Sequence, residues 1–150
     1  MTPVVTRIEP AGVVLVDGSP ADYVDVFTVT GLAHVPRPRD AATRLLAGAM
    51  RGGGVFALAV WRGALGLQVA PSRSGTVAGW TVVADDAELL DLVATGGRRM
   101  QGRMLFESTA SGLTWTTALR FGHPVAAPTW RALGPVHRAL VPRLLAELPG

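Results

Sequence analysis

Cysteine, lysine and asparagine are absent from this 150-residue sequence, and tyrosine and isoleucine occur once each, as Tyr23 and Ile8. The lack of cysteine excludes disulfides, thiolate nucleophiles and thiolate metal ligands. Without lysine, all 14 basic residues are arginines, whose guanidiniums keep their charge across the accessible pH range; the pI is about 10.9 although the formal net charge is +3. Long hydrophobic runs are missing as well. The most extended, Val55 to Ala70, contains Arg62 and Gln68 and falls short of a membrane span, and the N-terminus lacks the charged-then-apolar pattern of a signal segment. A soluble, cytoplasmic protein is the expectation. Basic charge is not gathered into a stripe either. The densest cluster is Arg98, Arg99 and Arg103, and Glu107 lies on the same alternating face as Arg99 and Arg103, which argues against a nucleic-acid partner.

What is present is an apolar chain rich in Ala, Gly, Pro and Arg, a bias that matches a G+C-rich bacterial genome, and long enough to bury one core without covalent staples. Residues 1–20, Pro- and Gly-rich around the short apolar run Val13 to Val16, read as a lead-in or loose edge strand; residues 21–150 read as a single domain. Tyr23 to Val29 alternates as a first strand, with Tyr23, Asp25, Phe27 and Val29 on one face. The breaker cluster from Pro36 to Asp40 then precedes a helix expected over Ala41 to Arg51, on the stripe Leu45, Leu46, Ala49 and Met50, and Gly52 to Gly54 stop it. Val55 to Leu67 follows as a second helix, with Leu58, Trp61 and Leu65 on one stripe, or as a buried strand. It could serve as an apolar lid, a core helix or the surface of a homodimer.

Four segments of strand character come next, Gly79 to Ala84, Glu88 to Thr95, Arg99 to Thr109 and Leu113 to Phe121, and their short polar connections predict an antiparallel meander. The last strand feeds a C-terminal helical stretch in which Trp130, Leu133, His137, Leu140 or Val141, Leu144 and Leu148 recur at three- and four-residue steps. Pro135 and Pro142 fall inside it and predict a kinked or segmented helix. A strand leading into a long amphipathic helix is how helix-grip folds close a pocket. The expected class is therefore α+β, a curved antiparallel sheet wrapped around the C-terminal helix, with two shorter helices after the first strand.

Alternation assigns the inner face of that sheet. Met100, Gly102, Met104 and Phe106 of one strand and Leu113, Trp115, Thr117, Leu119 and Phe121 of the next point one way, while Arg99, Gln101, Arg103, Glu107, Thr114, Thr116 and Arg120 point the other. The first set should face the helix, either as filled core or as the wall of an apolar cavity. Met100, Met104, Phe106, Trp115, Thr117, Leu119, Phe121, Trp130 and Leu133, with Trp61 and Trp80, are the candidate substrate-binding residues. His137 is a polar residue on an apolar seam, either packed and satisfied by one partner or a neutral acid/base at a pocket wall. Its partner is Asp91, Asp25 or Tyr23, which makes His137, Tyr23 and Asp91 the candidate catalytic residues. His34, His123 and His137 lack metal-ligand spacing, and no nucleotide or phosphate loop occurs, so neither metal nor cofactor is expected.

Three stretches carry a family resemblance in order: Ala21 to Phe27, Trp61 to Leu67, and Thr117 to Phe121 followed by Trp130 and Pro135 to Arg138. They resemble an uncharacterised family common in actinobacteria, related to the START-like (SRPBCC) helix-grip superfamily. The resemblance implies a cavity between the curved sheet and the long C-terminal helix. His137 and Arg62 match family positions and Trp130 replaces a usual tyrosine. Arg99 and Gln101 stand where the family favours His and Asp, and no Asn occurs near His123 and Pro124.

Two functions of different class fit these residues. One is a cofactor-independent enzyme of specialised metabolism, a cyclase, isomerase or dehydratase acting on a polyketide- or terpenoid-like molecule held in an apolar cavity, with His137 or Tyr23 moving protons. The other is a non-catalytic carrier of a lipid or hydrophobic metabolite. A helix-grip domain with a filled interior, acting through protein partners, is the plainest alternative.

Overall fold

The computed structural model describes residues 2–10, 12–51, 66, 75–95 and 99–150. Among them, seven strands form one antiparallel sheet in the order β1-β2-β7-β6-β5-β4-β3. These are β1 (Val4–Ile8), β2 (Tyr23–Thr30), β3 (Thr76–Val77), β4 (Trp80–Asp85), β5 (Leu89–Ala94), β6 (Met100–Ser108) and β7 (Gly112–Phe121), and two helices accompany them, α1 (Pro38–Arg51) and α2 (Ala126–Ala146). From β4 to β7 the sheet is a meander. β2 then closes onto β7, and β1 flanks β2 at the edge. The chain is thus α+β with a C-terminal helix, consistent with a helix-grip-like architecture.

Pairing carries the expected faces through the whole sheet. Phe106 lies opposite Leu90 on one side and Trp115 on the other, and Trp115 in turn lies opposite Phe27. Leu90, Phe106, Trp115 and Phe27 therefore run across four strands on one face, and they belong to a single hydrophobic cluster. That cluster also takes Ala41, Ala42, Leu45 and Leu46 from α1 and Trp130, Val141, Leu144 and Leu145 from α2. Each large side chain fully withdrawn from water here, such as Phe106 or Leu145, contributes about 1.5–3 kcal/mol. The two helices share the inner face, α1 packing on β5 and β6, and α2 on β1, β2 and α1.

Three expectations need correction. The edge strand of the N-terminal segment is Val4–Ile8 rather than Val13 to Val16. The latter run is folded back on itself by a tight turn, in which Leu15 N–H donates to the Ser19 carbonyl and Gly18, at φ 80°, donates to that of Leu15. Helix α1 begins at Pro38 rather than Ala41, because proline suits the first helical position, where no backbone donor is needed. Helix α2 is not segmented: it continues through Pro135 and Pro142. Pro135 and Arg131, whose carbonyl loses its donor, both lie on the exposed side, where water can replace the missing bond. The second helix expected over Val55 to Leu67, together with the lid or dimer surface it would form, lies outside the described residues, as does Trp61.

The outer face of the sheet is covered by the loop at residues 13–20. Arg103 donates to the Val14 carbonyl at 2.8 Å, Arg120 reaches both Asp17 and Ser19 at 3.2 Å, and Leu15 is 4% exposed. Val26, Val93 and Ala118 are buried with it, apart from the main core. This explains why β7 is buried on both faces from Trp115 to Leu119.

At the opening of β7, a Cβ added to Gly112 would stand 1.9 Å from the Val29 carbonyl oxygen, a backbone atom that cannot swing aside. Gly112→Ala should therefore lower the unfolding free energy by about 2–4 kcal/mol, measured by urea denaturation. A change below about 0.5 kcal/mol would show that the β2–β7 contact is looser than this geometry.

Candidate active site

Strand β2 places Tyr23 and Asp25 two residues apart, hence on the same inner face. Helix α2 places Trp130 and His137 two turns apart on its inner seam, with Arg138 beside them. These residues meet where α2 crosses β2. The Tyr23 hydroxyl donates to Asp25 Oδ2 at 2.7 Å and accepts from Arg138 Nη1 at 3.2 Å. His137 Nε2 stands 3.1 Å from the same Asp25 Oδ2, close enough for an ion pair with a protonated imidazole but without the alignment of a hydrogen bond. Asp25 is 0% exposed, whereas the His137 side chain is 20% exposed, so the cluster has a buried end and an end that reaches solvent.

Aromatic packing holds these groups in place. The Tyr23 and Trp130 rings meet edge-on with centroids 5.0 Å apart, and the Trp130 and His137 centroids are 5.3 Å apart. The Arg138 guanidinium carbon lies 5.9 Å from the Tyr23 ring centre, within cation–π range. Gly134 makes the approach possible. A Cβ at that position would stand 3.0 Å from Arg138 Nη1 and 3.2 Å from Trp130 Nε1, so the ladder Trp130, Gly134, Arg138 leaves its middle rung empty.

Burial, reinforced by the Asp25 oxygen that accepts its proton, pushes the Tyr23 phenol up from 10.0 to about 12, against the opposing pull of Arg138. Tyr23 therefore keeps its proton throughout the physiological range. With Asp25 and His137 it forms a three-membered acid–base constellation at one carboxyl group.

The sequence offered Asp91, Asp25 and Tyr23 as alternative partners of His137; His137 Nε2 stands 3.1 Å from Asp25, and Tyr23 meets the same carboxyl group. The third catalytic candidate, Asp91, is not brought to this cluster. It projects from the outer face, where Arg103 grips it with Nε to Oδ1 at 3.0 Å and Nη2 to Oδ2 at 2.8 Å. That fork, above all its hydrogen bonds, raises the Arg103 pKa above its ordinary value. Sheet register opposes Asp91 to Leu105, an outer-face residue. Arg138 and Gly134 were missed. Their sign is the four-residue spacing Trp130, Gly134, Arg138, legible once the helix is known to face Tyr23.

Most of the expected substrate wall is brought together as close-packed core. Trp80, Met100, Met104, Phe106, Trp115, Leu119 and Trp130 all belong to the one cluster, with Phe121 and Leu133 half-buried against it and Thr117 buried on the same face. The Phe106 and Trp115 rings stand 4.9 Å apart. A recess of about 200 Å³ lies elsewhere, between α1 and α2 at Arg44, Leu45, Leu144, Glu147 and Leu148. It includes none of the acid–base groups, so the chemistry, rather than this hollow, marks the candidate site.

No protein-family model and no curated protein matches the sequence. Among solved structures, the chain is similar to a Pseudomonas aeruginosa protein of unknown function at 14% identity, over 91% of this chain and 79% of that one, with a TM-score of 0.22. A likeness that slight carries no structural argument.

Two measurements probe the site. Tyr23 is the chain's sole tyrosine, so tyrosinate absorbance near 295 nm reports it without interference. Its midpoint should fall at about 12 in the folded protein and return to about 10 in denaturant. Because the folded state holds this proton more tightly, the contribution to stability is complete below pH 10 and is lost as pH rises through 12. A folded-state midpoint at 10 would contradict the buried contact with Asp25. Separately, Asp91→Asn should cost about 2 kcal/mol in urea denaturation by leaving Arg103 half-buried and unpaired. It should leave the Tyr23 titration unmoved, and a shift there would connect the two faces of the sheet.

Proposed function

We propose that this chain is a cofactor-independent acid–base catalyst of helix-grip type, related to the START-like superfamily, that acts on a hydrophobic small molecule in the cytoplasm. One observation carries the reading: a fully buried carboxyl group, Asp25, held between a phenol at 2.7 Å and an imidazole at 3.1 Å on an otherwise apolar sheet face. A carboxyl group in such a place costs free energy that a structural core has no need to spend. The division of labour follows from the geometry. Tyr23, which keeps its proton to about pH 12, acts as the donor. His137, on the solvent-reaching side, exchanges protons with substrate and water. Asp25 orients both. Isomerisation, cyclisation and loss of water are the reaction types that such a set supports without a cofactor.

The substrate would lie at the α2 side of the inner face, beside Tyr23, Trp130 and His137, rather than at the centre of the sheet, where Phe106 and Trp115 fill the space. Arg138 positions the phenol.

The test begins with protein purified from its own cells, from which any bound small molecule is extracted and identified by mass spectrometry. Wild-type protein should convert that molecule, or its precursor, to a product of equal mass or one lighter by water. His137→Ala should slow conversion roughly a hundredfold to ten-thousandfold while changing Kd by a few-fold or less. Unaltered ligand after incubation with wild-type protein would instead establish a carrier, and undiminished turnover in His137→Ala would remove the imidazole from the mechanism.

A further inference from the structure

Among the described residues, Asp25 Oδ1 and Thr117 Oγ1 are buried on the inner face without a hydrogen-bond partner, as are Trp130 Nε1 and His137 Nε2 on the facing helix. Sheet register brings the first two to the same place. Asp25 of β2 and Thr117 of β7 are directly opposed, with 0% and 5% exposure. Opposed residues on one face hold their Cβ atoms about 4.5–5.5 Å apart, so the two side chains are neighbours. The Trp115 indole N–H, two residues along the same face of β7, is likewise buried without a partner. Buried polar atoms are nearly always satisfied, so an unmet group on each of two adjoining strands points to something that binds between them.

The chemistry of the two atoms narrows what that is. Asp25 Oδ1 calls for a donor, since its sister oxygen Oδ2 already accepts from Tyr23. Thr117 Oγ1 carries a proton that calls for an acceptor. A hydroxyl group meets both demands at once. A ketone oxygen accepts from Thr117 but faces Asp25 Oδ1 as a second acceptor, and a hydrocarbon meets neither. We infer, resting on the functional reading above, that the ligand of this site is a hydrophobic alcohol whose hydroxyl lies between Asp25 Oδ1 and Thr117 Oγ1. Its hydrocarbon part lies against the apolar inner face. A hydroxyl held there shares its carboxyl group with Tyr23 and His137, the residues assigned to proton movement.

The experiment uses the full chain and three probes of similar size, cyclohexanol, cyclohexanone and methylcyclohexane, titrated while the Thr117 methyl and the Asp25 and His137 resonances are followed by NMR. Cyclohexanol should shift these signals and bind roughly tenfold or more tightly than the other two. Thr117→Val should abolish the preference, and Thr117→Ser, which keeps the hydroxyl, should retain it. Equal affinity for the three probes would overturn recognition of a hydroxyl while leaving a hydrophobic site in place. The absence of any shift at these residues, the mark of a buried water alone, would overturn the site, as would an alcohol preference that persists in Thr117→Val. If Thr117→Val does not fold, the comparison of the three probes on the wild-type chain decides. The catalytic reading stands or falls separately, on whether the natural ligand is converted.

Discussion

Asp25 is the constraint around which this structure is arranged. A carboxyl group with 0% exposure, set among Phe27, Trp115 and Leu119 on an apolar face, is tolerable only with polar partners, and water does not supply them there. The partners come from two elements: Tyr23 on the same strand and His137 on a helix more than a hundred residues away. Both stand against Oδ2 where α2 crosses β2. Trp130 and Arg138 then complete the enclosure, each against the Tyr23 ring. The hydrogen bond from Arg138 to the Tyr23 hydroxyl gives the alignment of helix on sheet a directional contact.

A second polar anchor works on the opposite face. There Arg103 joins Asp91 to the Val14 carbonyl, and Arg120 joins Asp17 and Ser19, so that two guanidiniums on adjacent strands hold the N-terminal loop over the sheet. The two anchors differ in character. The outer one, partly exposed, is an Arg103 fork on Asp91 that also reaches the Val14 carbonyl, beside the Arg120 contacts to Asp17 and Ser19. The inner one leaves Asp25 Oδ1 and Thr117 Oγ1 unmet, and that contrast is what separates a structural clamp from a candidate site.

Strand periodicity made much of this legible. The alternation of β6 and β7 placed Phe106 and Trp115 inward and Arg103 and Arg120 outward, as their pairing and burial show. It succeeded because a one-residue slip in register would turn every one of these side chains to the wrong face. The helical seam placed Trp130 and Leu144 inward for the corresponding reason, and the structure selects Val141 over Leu140 between them. Pro135 and Pro142 predicted a kinked or segmented helix, and α2 runs unsegmented through both; at Pro135 the carbonyl that loses its donor lies on the exposed side.

By itself, then, the sequence determined the period of each element and hence the face on which every residue falls. It also determined that no thiol chemistry is available and that positive charge resides in guanidiniums alone. Tertiary structure decided which faces meet. Tyr23, Asp91 and Asp25 were equal candidates to partner His137, and nothing within a strand's own pattern separates them. The separation is made by the crossing of α2 over β2, which brings residues 23 and 25 to the helix and leaves residue 91 to Arg103 on the far side of the sheet. Periodicity is a local property of the backbone, whereas the meeting of a carboxyl group with an imidazole 112 positions later depends on how the whole chain closes.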